Sequence, residues 1–238
     1  MPRKPMTKDE FQRRFAEIRN KQYKRDERGT GGVGNTLENL LGLGVGSGQK
    51  ADVGFAELKV RMKDAISSVK LFTLDSDIWR LTQDAQAGKF GVSNYEKVNG
   101  LHFEMRQGEI TKTGLKFFTD NETVSILSPN DDVIAEWSLD KLIRTFERNV
   151  KEQVIVTAEM NMGAGGFDYF VYRHAFHLHG ISKASLRSAF LQNAITLNVH
   201  IESISIGRDG SWKVKNRGTA FRINENNLEK LFENKDSL

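Results

Sequence analysis

One short motif constrains this chain more than any other feature: Asp52, followed by Glu57-Leu58-Lys59 between apolar neighbours. Side chains along a β-strand alternate between its two faces, so Glu57 and Lys59 would point one way while Leu58 enters a core. Asp52 arrives from the preceding turn or strand, where it can meet Glu57. Two carboxylates supply the hard oxygen ligands that suit Mg²⁺. The motif therefore predicts a strand with one polar face that binds a divalent cation.

The lysine of this motif extends the prediction from binding to catalysis. The Lys59 ammonium would stand beside the cation, where it can orient a water or hydroxide and offset charge on a scissile phosphate. This is the arrangement that a metal-dependent phosphodiesterase needs. A surface strand with a structural ion pair has the same letters, so the motif by itself leaves both readings open.

Length and composition exclude several classes of protein. A chain of 238 residues forms one large domain or two smaller lobes and can bury a real core. No apolar run approaches the length of a membrane span, and the charged N-terminus lacks the apolar segment of a secretory signal. Zero cysteines exclude disulfides and thiolate metal sites. These features predict a cytoplasmic protein without a membrane partner.

Basic residues cluster near the two ends of the chain, although the net charge is only +4. Two such regions can form two walls of one phosphate-binding cleft, and they can equally be two solvated faces without a partner. The clusters comprise Arg13, Arg14, Arg19, Lys21, Lys24, Arg25 and Arg28, and then Arg208, Lys213, Lys215, Arg217 and Arg222.

The periodicity of the chain predicts strands and helices in irregular order, which indicates an α/β or α+β sheet domain. The first predicted helix runs from Lys8 to about Tyr23. A second helix is predicted to begin at Asn35 or Thr36, with Glu38 in its first turn. We expect the C-terminal end, residues 225–238, to be among the most mobile parts of the chain.

Three histidines, His174, His177 and His179, invite a metal-site interpretation. On a strand, His177 and His179 would share one face, as in some zinc sites. However, no carboxylate or cysteine completes a familiar ligand spacing. The pattern therefore favours structural or DNA-contacting histidines over a zinc site.

Several segments, in order along the chain, carry a family resemblance. Thr36–Gly42, then Asp52 and Glu57-Leu58-Lys59, resemble the PD-(D/E)xK nucleases of the MutH-like branch, and more closely the MvaI/BcnI type II restriction endonucleases, on the MvaI side. Ala51 replaces the proline of the motif's name, which is often absent. The resemblance runs from about Phe11 to the C-terminus. Four further stretches support it: Lys70–Thr73, Trp137–Asp140, Val154–Glu159 and, most specifically, Arg217–Asn224.

The resemblance implies a restriction-endonuclease-like α/β fold, with a mixed β-sheet core flanked by helices. It implies a single domain over residues 1–238, with a mainly N-terminal catalytic lobe and a mainly C-terminal recognition lobe around a DNA cleft. Such an enzyme is a monomer that uses Mg²⁺ to hydrolyse phosphodiester bonds of double-stranded DNA at a short CC-N-GG-like site, one strand after the other. A cognate DNA methyltransferase would protect the same site in a prokaryotic cytoplasm.

The resemblance also implies roles for the residues of the motif. Asp52 and Glu57 would bind the metal ion with the Leu58 carbonyl nearby, and Lys59 would be the catalytic lysine. Glu38 would be the helix acid that supports the site.

Further positions would contact DNA. Arg222 matches an arginine that reads a guanine, for which a guanidinium can donate two hydrogen bonds to O6 and N7. His200 falls near a second recognition arginine. Thr73 and Ala220 stand where the BcnI type has histidines that discriminate the central base pair, which favours CC(A/T)GG over CC(C/G)GG. Arg208 and Arg217 complete the predicted DNA-binding set.

Two other functions remain open from the sequence. One is a MutH-like mismatch-repair nickase, against which the C-terminal stretch Arg217–Asn224 argues. The other is a DNA-binding module that does not cut, against which the intact set of Asp52, Glu57 and Lys59 argues, because binding alone does not require all three.

Overall fold

The computed structural model describes residues 5–25, 32–43, 53–63, 68–80, 101–149, 152–162, 168–206 and 212–238. The chain divides into two compact units. The first unit comprises Met1–Ile66, Val150–Gly180 and Phe232–Leu238, and the second comprises Ser67–Asn149 and Ile181–Leu231. Among the described residues, every helix is too short or too polar to span a lipid bilayer.

The described elements alternate irregularly between helix and strand, and the chain forms more strand than helix. In chain order they are α1 (Lys8–Ile18), β1 (Gln22–Lys24), α2 (Gly32–Leu41), β2 (Glu57–Met62), β3 (Ser68–Leu74), β4 (Ile78–Trp79), β5 (Leu101–Met105), β6 (Lys116–Thr119), β7 (Thr123–Leu127), β8 (Val133–Ser138), α3 (Leu139–Asn149), β9 (Gln153–Met162), β10 (Asp168–His179), α4 (Lys183–Leu191), β11 (Ile195–Ile206), β12 (Trp212–Asn224), a 3₁₀ helix (Glu225–Leu231) and β13 (Asn234–Ser237).

A five-stranded mixed sheet forms the centre of the first unit. Its strand order is β1-β10-β9-β2, and β13 also pairs with β10. Strands β2 and β9 are parallel, whereas β10 is antiparallel to β1, β9 and β13. The predicted mixed sheet flanked by helices is therefore confirmed.

One face of this sheet is covered by α1 and α2. The fully buried side chains of Phe11, Phe15, Leu37 and Leu41 pack in one core with apolar strand residues such as Leu58. Burial of each such side chain stabilises the unit by about 1.5–3 kcal/mol, which offsets the entropy lost on ordering the helices.

Side-chain contacts to the backbone hold α2 in place. The Tyr172 hydroxyl donates to the Val33 carbonyl at 2.8 Å, near the start of the helix. The Arg14 guanidinium donates to the Leu41 carbonyl at its end. Because the last carbonyls of a helix have no partner within it, the arginine satisfies one of them.

The structure corrects the predicted bounds of both helices. Helix α1 ends at Ile18, not near Tyr23, because Asn20 adopts a left-handed conformation with φ 62° and its N–H donates to Tyr172. Helix α2 begins at Gly32, so neither Asn35 nor Thr36 is its cap. The Thr36 hydroxyl instead donates to the Gly32 carbonyl at 2.8 Å inside the helix.

The second unit contains two four-stranded sheets, ordered β3-β12-β11-β5 and β4-β8-β7-β6. An aromatic cluster lies in its core. The ring of Phe221 lies 4.9 Å from that of Phe72, 5.8 Å from Trp137 and 6.1 Å from Phe190, between ring centroids. Since Phe221 alternates with partly exposed neighbours on β12, this packing fixes which face of that strand points away from the core.

Candidate active site

The two charged residues of the motif meet on β2. Lys59 Nζ lies 3.2 Å from Glu57 Oε1, and their side chains are 35% and 39% exposed, respectively. Leu58, between them, is 8% exposed and belongs to the core under α1 and α2. The alternation predicted from the sequence is therefore what orients the two charged groups, because the buried leucine fixes the register of the strand.

Strand β9 anchors the beginning of β2. The Glu57 N–H donates to the Glu152 carbonyl at 2.8 Å, and Glu57 pairs with Gln153 in the parallel register. Lys59 pairs in the same way with Ile155, which is 5% exposed. The motif therefore lies against a buried neighbouring strand, which restricts the backbone that carries it.

Gln153 is a candidate site residue that the sequence did not indicate. Its side chain is 1% exposed, and its Oε1 has no hydrogen-bond partner among the described residues. As the register partner of Glu57, it lies on the same face of the sheet. No local pattern in the sequence indicates it. Its position follows from the pairing of β2 with β9, which joins residues far apart in the chain.

Of the two acidic residues predicted to act with Glu57, the structure describes only Glu38. Asp52 lies outside the described residues, so its predicted meeting with Glu57 stays a prediction. Glu38 lies on α2 and is half-buried, and its carbonyl accepts from the Leu43 N–H at 2.8 Å. Because the helix begins at Gly32, Glu38 stands in its later half rather than in its first turn.

Predicted DNA-contacting residues of the second unit share one face of a sheet. Ala220 pairs with Thr73 across β12 and β3. Ala220 and Arg222 alternate with the buried Thr219, Phe221 and Ile223, so they point away from the aromatic core.

The remaining predicted DNA contacts are described in part. Arg222 Nη2 donates to the Ser68 carbonyl at 2.9 Å, and its Nε donates to Ser68 Oγ at 3.3 Å. His200 lies on β11 opposite His102 of β5. Arg217 lies on β12 but its side chain is outside the described part, and Arg208 lies outside it altogether.

The histidine strand has a carboxylate neighbour that the sequence did not predict. Strand β13 pairs with β10 so that Asp236 lies opposite His177, and His179 Nε2 is 3.2 Å from Asp236 Oδ2. Lys8 Nζ donates to the same oxygen at 2.9 Å. The hydrogen bond from Lys8 and then that with His179 hold the pKa of Asp236 below its ordinary value, so this carboxylate is ionised at neutral pH.

Comparison with known proteins agrees with this architecture. The model of the MvaI/BcnI restriction endonuclease family matches residues 12–232. Two solved structures have a similar fold: the restriction endonuclease MvaI in the absence of DNA, and the complex of MvaI with its cognate DNA substrate. No curated protein gave a significant match.

The structural similarity extends over the full length of both neighbours. The DNA-free structure is 20% identical, with a TM-score of 0.69, and 99% of each chain is covered. The complex is 21% identical, with a TM-score of 0.60, and the match covers 98% of this chain and 99% of the other. The neighbours show the fold, and the family model extends over segments of both units. The chain therefore belongs to the MvaI/BcnI restriction endonuclease family.

Proposed function

We propose that this protein is a Mg²⁺-dependent type II restriction endonuclease that hydrolyses phosphodiester bonds in double-stranded DNA. Its family implies a hydrolase that cleaves DNA. The observation that supports the assignment most directly is the pair of Glu57 and Lys59, 3.2 Å apart on one face of β2 and half-exposed. A carboxylate and an ammonium so placed suit a phosphate and the cation that accompanies it.

The ion pair of Lys59 with Glu57 is available for exchange. An exposed ion pair contributes only about 0–1 kcal/mol to stability, because water screens both charges. The Lys59 ammonium can therefore leave Glu57 for a phosphate oxygen at little cost. In that position it donates hydrogen bonds to the phosphate or to the attacking water and offsets the charge that develops in the transition state.

The donor atoms near Glu57 fit a hard divalent cation. We propose Asp52, Glu57 and the Leu58 carbonyl as ligands, all of which offer oxygen, the donor that Mg²⁺ prefers. The buried Oε1 of Gln153, which has no hydrogen-bond partner among the described residues, supports an oxygen-rich site on this face. When bound there, Mg²⁺ would supply Lewis-acid chemistry and lower the pKa of a coordinated water.

The later half of α2 gives Glu38 a supporting role. Its helix is fixed at both ends, by Tyr172 and by Arg14, so the carboxylate is carried on a rigid element. We propose that Glu38 acts as a positioning acid for the catalytic set and not as a ligand of its own. A rigid scaffold matters because misplacement by about 1 Å can cost two orders of magnitude in rate.

We assign catalysis to the first unit and base reading to the second, as two lobes of one endonuclease domain. The exposed face of β12 and β3 supports this division, because Thr73, Ala220 and Arg222 share it. A bidentate contact of Arg222 with guanine would account for the G·C pairs of the proposed site. Arg208 and Arg217, which are basic, and His200 would add contacts to DNA.

Two small side chains support a proposal for the central base pair of the site. Thr73 and Ala220 offer methyl groups, which pack against the methyl group of thymine, and neither offers the imidazole of the BcnI type. We therefore propose a CC-N-GG-like site with A or T in the centre. Family resemblance further supports a monomer in a prokaryotic cytoplasm that cuts the two strands in sequence, with a methyltransferase that protects the same site.

Two lysine substitutions test the catalytic assignment. Lys59→Met should reduce cleavage of unmethylated DNA with Mg²⁺ by at least about 100-fold, because a group that acts in the transition state is lost. Lys63→Met is the matched control: Lys63 directly follows β2, is 69% exposed and should be dispensable. DNA binding, measured without divalent cation, should persist in both variants.

The outcomes separate the alternatives. Equal loss of cleavage in both lysine variants would indicate a general charge effect and would contradict the role of Lys59. DNA binding without cleavage by the unmodified protein would favour a non-cutting module. Cutting of one strand only, at hemimethylated sites, would favour a mismatch-repair nickase.

A further inference from the structure

We propose that His177, His179 and Asp236 form a binding site for a divalent transition-metal ion of the Zn²⁺ class, separate from the cleavage site. The three residues come from the paired strands β10 and β13, with Asp236 directly opposite His177. One ligand atom from each lies within 4.8 Å of the other two. Two imidazoles and a carboxylate form a ligand set that zinc uses and that Mg²⁺ does not prefer.

A buried and unpaired nitrogen points to a ligand. His177 is 7% exposed, and its Nδ1 has no hydrogen-bond partner within the part of the chain that the structure describes. Burying a polar atom without a partner costs about 1–3 kcal/mol, so such atoms call for an explanation. This nitrogen lies 3.9 Å from Asp236 Oδ2, so a cation between the two would satisfy it.

The opposite nitrogen of the same ring is held by a carboxylate. His177 Nε2 lies 2.8 Å from Glu152 Oε2. When Nε2 donates its proton to Glu152, the lone pair of the neutral ring is on Nδ1, which faces Asp236. Metal-binding histidines commonly donate their second N–H to a carboxylate in this way, which orients the ring and increases its basicity.

The distances suit a tetrahedral ion after small adjustments. Ligand atoms about 2.0–2.1 Å from a zinc ion lie roughly 3.3 Å apart. The distances here are 3.2 Å from His179 Nε2 and 3.9 Å from His177 Nδ1 to Asp236 Oδ2. The two histidine rings are 4.7 Å apart, tilted by 31°. Water would supply a remaining coordination position.

Lys8 competes with the proposed ion. Its ammonium donates to Asp236 Oδ2 at 2.9 Å, and its side chain is 39% exposed. A flexible and exposed lysine can turn to water when a dication neutralises the carboxylate. Removal of the lysine charge should therefore strengthen metal binding, whereas a purely structural ion-pair network would only be weakened.

A metal at this position would fasten two strands of the first unit to each other. It would join β13 to β10 next to the beginning of α1, and Glu152, which orients His177, also accepts the backbone N–H of Glu57. The site would therefore stabilise the sheet at the point where the catalytic strand begins. This role does not depend on cleavage, so it can be tested on folding alone.

The test is a zinc titration of the untagged full-length protein after removal of metal, followed by equilibrium dialysis and thermal unfolding. We expect one tightly bound Zn²⁺ and an increase in Tm. His179→Gln and Asp236→Asn should each weaken binding by at least about tenfold. His174→Gln, an exposed histidine on the same strand, and Glu57→Gln, in the catalytic motif, should leave it unchanged. Lys8→Met should tighten it.

Three results would overturn the proposal. One is the absence of a stoichiometric zinc ion in the folded protein. Another is equal zinc affinity in the His179→Gln variant, whose Tm without metal shows that it is folded. The third is loss of zinc binding in Glu57→Gln, which would assign the ion to the cleavage site.

Discussion

At Arg222, the structure and the proposed chemistry make different demands on one side chain. Without DNA, its guanidinium donates to the Ser68 carbonyl and hydroxyl. With DNA, the proposed role needs the same fork to face a guanine. Because Ser68 occupies the Nε and Nη2 donors, these contacts would have to break before the same fork binds a base, which offsets part of the binding free energy.

Arg222→Lys should therefore change specificity and not only affinity. A lysine keeps the charge but loses the bidentate geometry, which is worth about 1–3 kcal/mol of discrimination. We expect kcat/KM on the cognate site to fall by roughly 10- to 100-fold, and discrimination to relax at one G·C pair. The measurement is cleavage of a series of duplexes that each alter one base pair. An equal loss on all of them would show a phosphate contact instead.

Single residues also show where sequence reasoning succeeds. Glu57 and Lys59 could be placed on one face because strand alternation is local and needs no knowledge of the fold. Gln153 could not be placed beside Glu57, nor Asp236 beside His177, because both neighbours come from strand pairing between distant parts of the chain.

At the scale of elements, the pairing of β3 with β12 depends on a glycine. Gly218 has φ +81°, and a Cβ at this position would lie 2.5 Å from Cγ2 of Thr73. Gly218→Ala should therefore destabilise the protein through backbone strain, about 1 kcal/mol, and through the clash with the methyl group. Thr73→Ser removes that methyl group and keeps the hydroxyl.

A double-mutant cycle measures the clash directly. We expect Gly218→Ala to lower the free energy of unfolding more when Thr73 is present than in the Thr73→Ser background. The residual loss in that background reports the strain of the left-handed backbone. Additive effects of the two substitutions would show that the strands adjust without cost to their contact.

The beginning of α3 is predicted to be sensitive to pH. Asp77 accepts a hydrogen bond from the Ser138 N–H at 2.8 Å and forms an ion pair with Lys141. Burial opposes ionisation of the carboxyl, but the bonds from Lys141 and Ser138 outweigh it and hold the pKa of Asp77 below its ordinary value. Since the folded state favours the ionised form, this contribution is present above about pH 4 and is lost as pH falls further.

Asp77→Asn should lower the free energy of unfolding by about 1 kcal/mol at pH 7, and by less at pH 3.5. Urea unfolding at the two pH values measures the difference. Asp131→Asn, whose carboxylate is 68% exposed, is the control and should change stability at pH 7 by no more than about 0.5 kcal/mol. A loss for Asp77→Asn that is the same at both pH values would contradict the assigned ionisation.

Helix starts show how far element prediction reaches. The start of helix α3 has a local signal, because a serine directly before a helix commonly caps it, and Ser138 Oγ does accept the Lys141 N–H. The predicted start of α2 was wrong. A threonine such as Thr36 can cap a helix or donate to a carbonyl within it, and the sequence does not distinguish these two roles. Strand β13 was not predicted, since its polar residues are ordered by pairing with β10.

At the scale of the whole molecule, the family and the mixed sheet could be predicted from ordered motifs. Which distant segments combine to form each unit could not be predicted. The first unit combines segments from the beginning, middle and end of the chain. Its parallel pair of β2 and β9 joins residues about a hundred positions apart in sequence. Such pairings depend on the collective burial of a sheet and leave no local pattern.

The central claim is that this protein cuts double-stranded DNA at one short site with the help of Mg²⁺. The most direct measurement incubates it with long unmethylated DNA and Mg²⁺, beside a control with a chelator, and sequences every fragment end. We expect ends that share one CC-N-GG-like motif with A or T in the centre, and no cleavage with chelator. Intact DNA in both samples, or ends without a common motif, would contradict it.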